Sequence, residues 1–327
     1  MMRLPPFAYL RPRELAEAAA LLAEHGEGAA PVAGGTDLYP KLKRRQLEPS
    51  VLVSLRGVPE LRGVRANGGL AIGAGTTLRE LESHPAVLAG YPALARAAAL
   101  VSSPQIRNAA TVGGNLCVDT RCNYYDLPEG WRSALGFCLK AGSDVCRLAS
   151  GGERCWAIAS SDLAPVAIAL DAQVRLVGAG GERFVAAAEL YRDDGVDYLA
   201  RAPDEILAEV LLPPADGMRA TYRKLRRRGS IDFPILGVAA AVRTDGDGTC
   251  TSARIVLGAV ASHPFRSSGA ERALVGHRLE PAAIEEAAEA ATAQAKPMEN
   301  ADLTPLYRKR MVRALVAGAL AELAALA

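Results

Sequence analysis

The spacing of apolar and polar positions divides the chain into distinct elements. Apolar residues at helical spacing in RPRELAEAAALLAEHG (11–26) predict a first amphipathic helix that stops at Gly26. GAAPVAGGTDLYPKL (28–42) follows as a short apolar run, a glycine turn and a polar-capped segment. SVLVSL (50–55) and GLAIGAGTTL (69–78) read as strands, the second leading through Thr76 or Thr77 as a helix cap into LRELESH. A helix near residues 88–101 precedes the loop SSPQIRNAATVGGNL (102–116), and residues 155–178 suggest a helix feeding another strand.

From about residue 216 the texture changes. Residues 219–267 alternate like a meander of antiparallel strands, and EPAAIEEAAEAATAQA and TPLYRKRMVRALVAGALAELAALA at the end are helical. The proline- and glycine-rich LLPPADG (211–217) marks a boundary, which predicts domains of residues 1–215 and 216–327 and an α+β class. No internal repeat of fixed period is visible.

Composition narrows the function. A chain of 327 residues, 50% apolar and 23% charged, suits a soluble protein with two or three domain cores. Its apolar runs are too short or too interrupted to span a bilayer. MMRLPPFAYLRPRELAEAA places prolines and an arginine where a secretory signal needs an unbroken apolar stretch, so the expected compartment is the cytoplasm, where cysteines stay reduced. The net charge of +2 is near balance, and the basic runs at 41–46 and 223–228 read as solvated surface. With only 5% aromatic residues, nucleic-acid binding is not expected.

Three loops carry candidate chemistry. AGGTDL (33–38), GAGTTL (73–78) and TVGGNL (111–116) each combine small residues with hydroxyls or an amide. Such loops let backbone approach a phosphate, although each alone reads as a tight turn. None is the dinucleotide fingerprint of a doubly wound sheet, and no Walker-type lysine loop is present. His25, His84, His263 and His277 are dispersed, without a hydrolytic or zinc spacing, and no catalytic residue is assigned.

Residues 117–155 hold five of the six cysteines. A reducing compartment disfavours a disulfide framework, and the paired C-x-x-C knuckles of a structural zinc site are absent. Fifteen residues separate Cys122 from Cys138, seven follow to Cys146 and eight to Cys155. Iron–sulfur clusters accept such spacings where the fold gathers four thiolates.

Taken in order, APVAGGTDL, GAGTTL, IRNAATVGGNL, SDLAPVAIALDA and YRKLRRRGSIDFPI resemble the flavin-binding subunit of the molybdenum hydroxylases, the family of xanthine dehydrogenase and carbon monoxide dehydrogenase. The resemblance runs from about residue 3 to the C-terminus. It implies a two-subdomain FAD domain of the vanillyl-alcohol oxidase and p-cresol methylhydroxylase type, followed by a smaller C-terminal domain. It also implies that Val32, Ala33, Gly34, Gly35, Thr36 and Asp37 wrap the FAD pyrophosphate, and that Thr111, Gly114 and Asn115 form a second phosphate and ribityl contact. By the same resemblance Asp162 binds the adenosine end, Lys224 lies near the flavin ring, and Ile206 and Leu207 make apolar contact to the ring. Read from its neighbours alone, Asp162 is a helix cap and Lys224 a surface lysine.

DTRCNYYD, WRSALGFCLK, DVC and GGERC further resemble one branch of that family, the FAD subunits of 4-hydroxybenzoyl-CoA reductases, in an insertion at about 117–157. This implies a [4Fe-4S] cluster on Cys122, Cys138, Cys146 and Cys155, with Cys117 left over near the flavin as the alternative to Cys122 and Cys250 a thiol of the strand meander. The implied complex passes electrons from ferredoxin through the cluster and FAD to a [2Fe-2S] small subunit and a molybdenum-cofactor large subunit. There 4-hydroxybenzoyl-CoA is reductively dehydroxylated to benzoyl-CoA. The alternatives are a molybdenum hydroxylase subunit working in the oxidative direction, a zinc-stapled non-redox binding module, and a standalone flavin oxidase. An exposed basic patch at Lys41, Lys43, Arg44 and Arg45 is the expected ferredoxin docking face.

Overall fold

The computed structural model describes residues 3–326. Three apolar runs, Ala8–Leu10, Val51–Ser54 and Ala29–Val32, pair in parallel in that spatial order. Parallel neighbours need a crossover; helix Leu15–His25 supplies one and buries Leu15, Ala18, Ala19 and Leu22 beneath the sheet. It stops at Gly26, where φ is +51°.

A second, antiparallel sheet runs in the order Val64–Ala66, Leu70–Gly73, Ile206–Leu212, Gln173–Gly178, Gly181–Ala186. Helices Leu78–Ser83, Pro92–Ala99 and Leu163–Ala169 share its core. Thr77 is the cap of the first, in a capping box with Glu80.

The C-terminal sheet is also antiparallel: Phe265–Arg266, Cys250–Gly258, Leu236–Thr244, Met218–Leu225. Strand alternation gives it two buried faces. Val238, Ala240 and Val242 pack with helices Ser268–Leu274, Pro281–Gln294 and Pro305–Ala324. Ala239 and Ala241, with Tyr222 and Val256, join the core of the second sheet. That explains the unbroken apolar run in Leu236–Val242, and it makes packing continuous across residues 211–217. The architecture is α+β. No helix of the described residues is long and apolar enough to cross a membrane.

The cysteine-rich segment leaves this frame through a neck. Arg121 N donates to Ile158 O at 2.9 Å and Ile158 N to Arg121 O at 2.8 Å, so the chain enters and returns side by side. Inside are one helix, Glu129–Ala134, and a single 3-10 turn, Leu139–Ala141. The buried centre is Cys122, Tyr125, Cys138, Cys155 and Ala157.

Candidate functional site

A cavity of about 920 Å³ opens where the parallel sheet, the antiparallel sheet and the C-terminal domain meet. Residues 32–37, Thr111, Gly114, Asn115, Asp162, Ile206 and Leu207 line it, as do Lys41, Asp119, Tyr125 and Lys140. Ile231 and Phe233 contribute from the C-terminal domain, and Ile231 holds a φ of +71°, unusual for a β-branched residue.

The loop at residues 33–37 is shaped by close backbone approach. A Cβ on Gly34 would collide with the Ala109 carbonyl, and Gly35 turns the chain at φ +71°. Among the described residues, the amides of Gly34, Gly35, Thr36 and Asp37 donate to no protein acceptor. Four free N–H groups leading into helix Leu38–Lys43 suit an anionic group. Gln46 Oε1, also buried on this wall, has no partner within the protein.

The other two loops differ from expectation. Val112 N donates to Thr76 O at 2.9 Å, Gly113 N to Ala74 O at 2.8 Å, Gly114 N to Thr111 Oγ1 at 3.1 Å and Asn115 N to Thr111 O at 2.9 Å. In GAGTTL, Ala74 N donates to Ala208 O at 2.9 Å and Gly75 N to Leu61 O at 2.6 Å. These amides are engaged inside the fold, so the two loops brace the wall rather than repeat the first loop's chemistry. Asn115 Oδ1 is similarly occupied: it accepts from Leu163 N at 3.0 Å and Ser161 Oγ at 2.8 Å, capping helix Leu163–Ala169.

Asp162 and Lys224, expected at opposite ends of the dinucleotide, are a buried ion pair. Lys224 Nζ donates to Asp162 Oδ2 at 2.8 Å and to Leu100 O at 3.0 Å, while Tyr222 OH donates to Asp162 Oδ1 at 2.8 Å. Burial pushes the Asp162 carboxyl up and the Lys224 ammonium down, and each partner opposes the other's shift. Lys224 is therefore neither a cavity-wall residue nor a surface lysine. It stands behind Asp162 and fixes it. Asp162 makes no side-chain cap bond to the helix that follows it.

The four expected ligands, Cys122, Cys138, Cys146 and Cys155, are at most 9% exposed. All six cysteines are unbridged. Cys122, Cys138 and Cys155 pack around Tyr125, and Cys146 lies close enough to influence Cys122 and Cys155 electrostatically. Burial raises the Cys122 thiol and pushes Cys155 up to about 11. Among the described residues, no group of three or more His, Cys, Asp or Glu side chains is arranged to hold a metal ion. Cys117 lines the cavity, and Cys250 is buried in the C-terminal core.

A charged wall separates the cavity from these thiols. Asp119 accepts from Lys41 at 2.6 Å and from Lys140 at 2.7 Å. Burial raises the Asp119 carboxyl, but Lys140 and Lys41 together outweigh it and hold it below the usual range. Asp37 pairs with Arg121, whose guanidinium lies 3.5 Å from the Phe233 ring centre. Lys41 is only 4% exposed, which removes it from the expected docking patch. The other basic run forms ion pairs at the surface: Arg223 with Glu322, Arg227 with Asp302 and Arg228 with Asp232.

Two family descriptions match the chain in tandem, "FAD binding domain in molybdopterin dehydrogenase" over residues 5–215 and "CO dehydrogenase flavoprotein C-terminal domain" over residues 220–323. The chain belongs to this molybdenum hydroxylase flavoprotein family. It is 31% identical to the carbon monoxide dehydrogenase medium chain of Hydrogenophaga pseudoflava over 97% of its length and 96% of the relative's. It is 35% identical to the aldehyde oxidoreductase FAD-binding subunit PaoB of Escherichia coli over 82% and 86% of the two chains. The solved carbon monoxide dehydrogenase from H. pseudoflava superimposes with a TM-score of 0.83 at 31% identity, covering 99% of both chains. Quinoline 2-oxidoreductase from Pseudomonas putida gives 0.79 at 26% identity, covering 99% and 98%.

The cavity fits the family's cofactor. Free amides at residues 34–37 would suit the charge of a pyrophosphate, and the rest of the wall is mostly apolar, as a dinucleotide's rings require. Lys41, Asp119, Tyr125 and Lys140 are wall residues that the sequence alone did not reveal. Lys41 reaches the cavity from helix Leu38–Lys43, and the folded neck at Arg121 and Ile158 brings the other three there. Asp119 and Tyr125 both lie in DTRCNYYD, whose legible signal is its cysteine.

Proposed function

We propose that this flavoprotein subunit carries a [4Fe-4S] cluster on Cys122, Cys138, Cys146 and Cys155 and relays electrons between a one-electron donor and a molybdenum-containing partner. The observation that carries the reading is the packing of Cys122, Cys138 and Cys155 against Tyr125, on the cavity wall, with a fourth buried and unbridged thiol, Cys146, in the same insertion. A segment with one short helix and little apolar core needs a staple, and a metal cluster is one. A single ion bound at about 2.3 Å from each sulfur draws thiolates to within roughly 4 Å of one another, whereas a cubane holds them wider. Iron with acid-labile sulfide, as against zinc, therefore separates the cluster from the zinc module.

Bound FAD accepts or gives electrons singly or in pairs, and a [4Fe-4S] cluster would supply them one at a time. This chain's part is to hold and orient both groups. The amides of residues 34–37 would meet the pyrophosphate, the Lys224–Asp162 pair fixes the wall at Asp162, and Tyr125 fills the space between cavity and thiols.

The substrate we propose is 4-hydroxybenzoyl-CoA, by the resemblance of the cysteine insertion. In the large partner subunit two electrons and two protons remove the phenolic hydroxyl as water and leave benzoyl-CoA. Ferredoxin is the proposed donor, and a [2Fe-2S] small subunit the next carrier. The similarity to carbon monoxide dehydrogenase and aldehyde oxidoreductase subunits supports a second reading, an oxidative complex with electrons leaving through this chain. The test uses the co-purified complex with reduced ferredoxin and 4-hydroxybenzoyl-CoA. Benzoyl-CoA formation supports the first reading; oxidation of an aldehyde or carbon monoxide instead, with no benzoyl-CoA, supports the second.

A further inference from the structure

The wall between the cavity and the thiols contains more positive than negative charge at its centre. Lys41 Nζ and Lys140 Nζ occupy the two oxygens of the single carboxylate of Asp119, at 2.6 and 2.7 Å. Their side chains are 4% and 6% exposed, and that of Asp119 is 14% exposed. Lys140 Nζ also donates to Thr120 Oγ1 at 2.9 Å and to Gly195 O. Asp37 pairs with Arg121, and Asp126 lies 3.8 Å from Arg121 and 3.9 Å from Arg44, so each of these carboxylates has a cation of its own and neither cancels the second ammonium. Both ammonium groups flank one ring: Lys41 Nζ lies 5.1 Å and Lys140 Nζ 5.2 Å from the centre of Tyr125, which itself packs on the cysteines. Lys140 is in the turn that begins directly after Cys138.

A buried, uncompensated cation is costly unless something negative lodges beside it. Four thiolates around a [4Fe-4S] core carry a net charge of two minus when oxidised and three minus after taking one electron from a donor. We infer that Lys41 and Lys140, locked on Asp119, form a fixed positive charge that favours the reduced state of a cluster on the four cysteines and thereby raises its potential. The inference rests on the cluster reading above and concerns positioning residues, since neither lysine is a ligand. Charge near a cluster is one of the means by which a protein sets its potential. If the triad only anchored the insertion to helix Leu38–Lys43, the sign of its charge would not matter.

The test is an EPR-monitored redox titration of the cluster in the anaerobically purified complex, with FAD and iron content measured on each variant. Lys140→Met should lower the midpoint potential, Asp119→Asn should raise it, and Lys140→Arg should stay near the wild type. Lys41→Met reads the same quantity from the other ammonium, and should also lower it, where Lys140→Met does not yield a folded protein. Midpoints that do not move, or that move the same way for the lysine and aspartate variants, overturn the inference and leave the cluster reading standing. A wild-type chain with FAD and no iron overturns both.

Discussion

The flavin cavity and the cysteine insertion share the wall of Asp119 and Tyr125 yet are built by opposite means. The cavity is shaped by backbone: Gly34 lies against Ala109, two braced loops stand behind it, and four amides are left free. Its form is set by the chain's own backbone packing, and such preorganisation is how affinity is gained. The insertion has almost no backbone ladder, and its centre is made of thiols around a tyrosine. Where the ligating side chains are themselves the core, binding and local folding become one event. The cavity should therefore survive loss of its neighbour, while the insertion should not survive loss of its own centre.

The largest expected effect separates the two regions outright. Cys138→Ser should abolish iron binding and open residues 122–157 to limited proteolysis, while FAD stays bound at the wild-type ratio. Loss of FAD in the same variant would mean that the regions are not independent.

Next in size is Lys224→Met. It leaves the Asp162 carboxylate buried with only Tyr222 as side-chain donor, and breaking such a pair costs about 3–5 kcal/mol. Urea unfolding of the FAD-loaded chain measures it, and adding Asp162→Asn should recover much of the loss. An unchanged midpoint in Lys224→Met would return Lys224 to the status of a surface residue.

Gly34→Ala is the converse of the cysteine variant. The added Cβ meets backbone that cannot swing away, and overpacking of this kind costs about 1–3 kcal/mol. FAD occupancy should fall while iron content holds, read by flavin absorbance and iron assay on one sample.

The smallest effect is a pH dependence that lies outside both regions. Burial raises the Glu322 carboxyl, but the hydrogen bond from Thr221 and the pairs with Arg96 and Arg223 outweigh it and hold it below the usual range. The folded state therefore binds that proton less tightly than the unfolded state, so the contribution is present above the ordinary value of 4.5 and lost as the pH falls below it. Unfolding measured across that window should show the decline, and Glu322→Gln should flatten it.

Much of the scaffold is legible in local signals. Gly26 ends a helix, Thr77 with Glu80 starts one, and the alternation after residue 216 predicts the antiparallel meander. These features depend on neighbours a few positions apart. The site is less legible because hydrogen-bond satisfaction is settled across long separations. TVGGNL has the composition of an anion loop, yet Thr76 and Ala74 take its amides. Lys224 reads as one of a basic run, yet its partner is Asp162, on the strand-and-helix segment before residue 178. Lys41 begins another basic run and is buried on Asp119. Ser161 and Asn115, rather than Asp162, cap the helix at Leu163.

The measurement that bears most directly on the account is the stoichiometry of FAD, iron, acid-labile sulfide and zinc in protein purified without oxygen, with an EPR spectrum taken after reduction. About one FAD with roughly four iron and four sulfide per chain, and the signal of a reduced cubane, is the predicted result. One FAD without iron, or with zinc in its place, would contradict a cluster on Cys122, Cys138, Cys146 and Cys155.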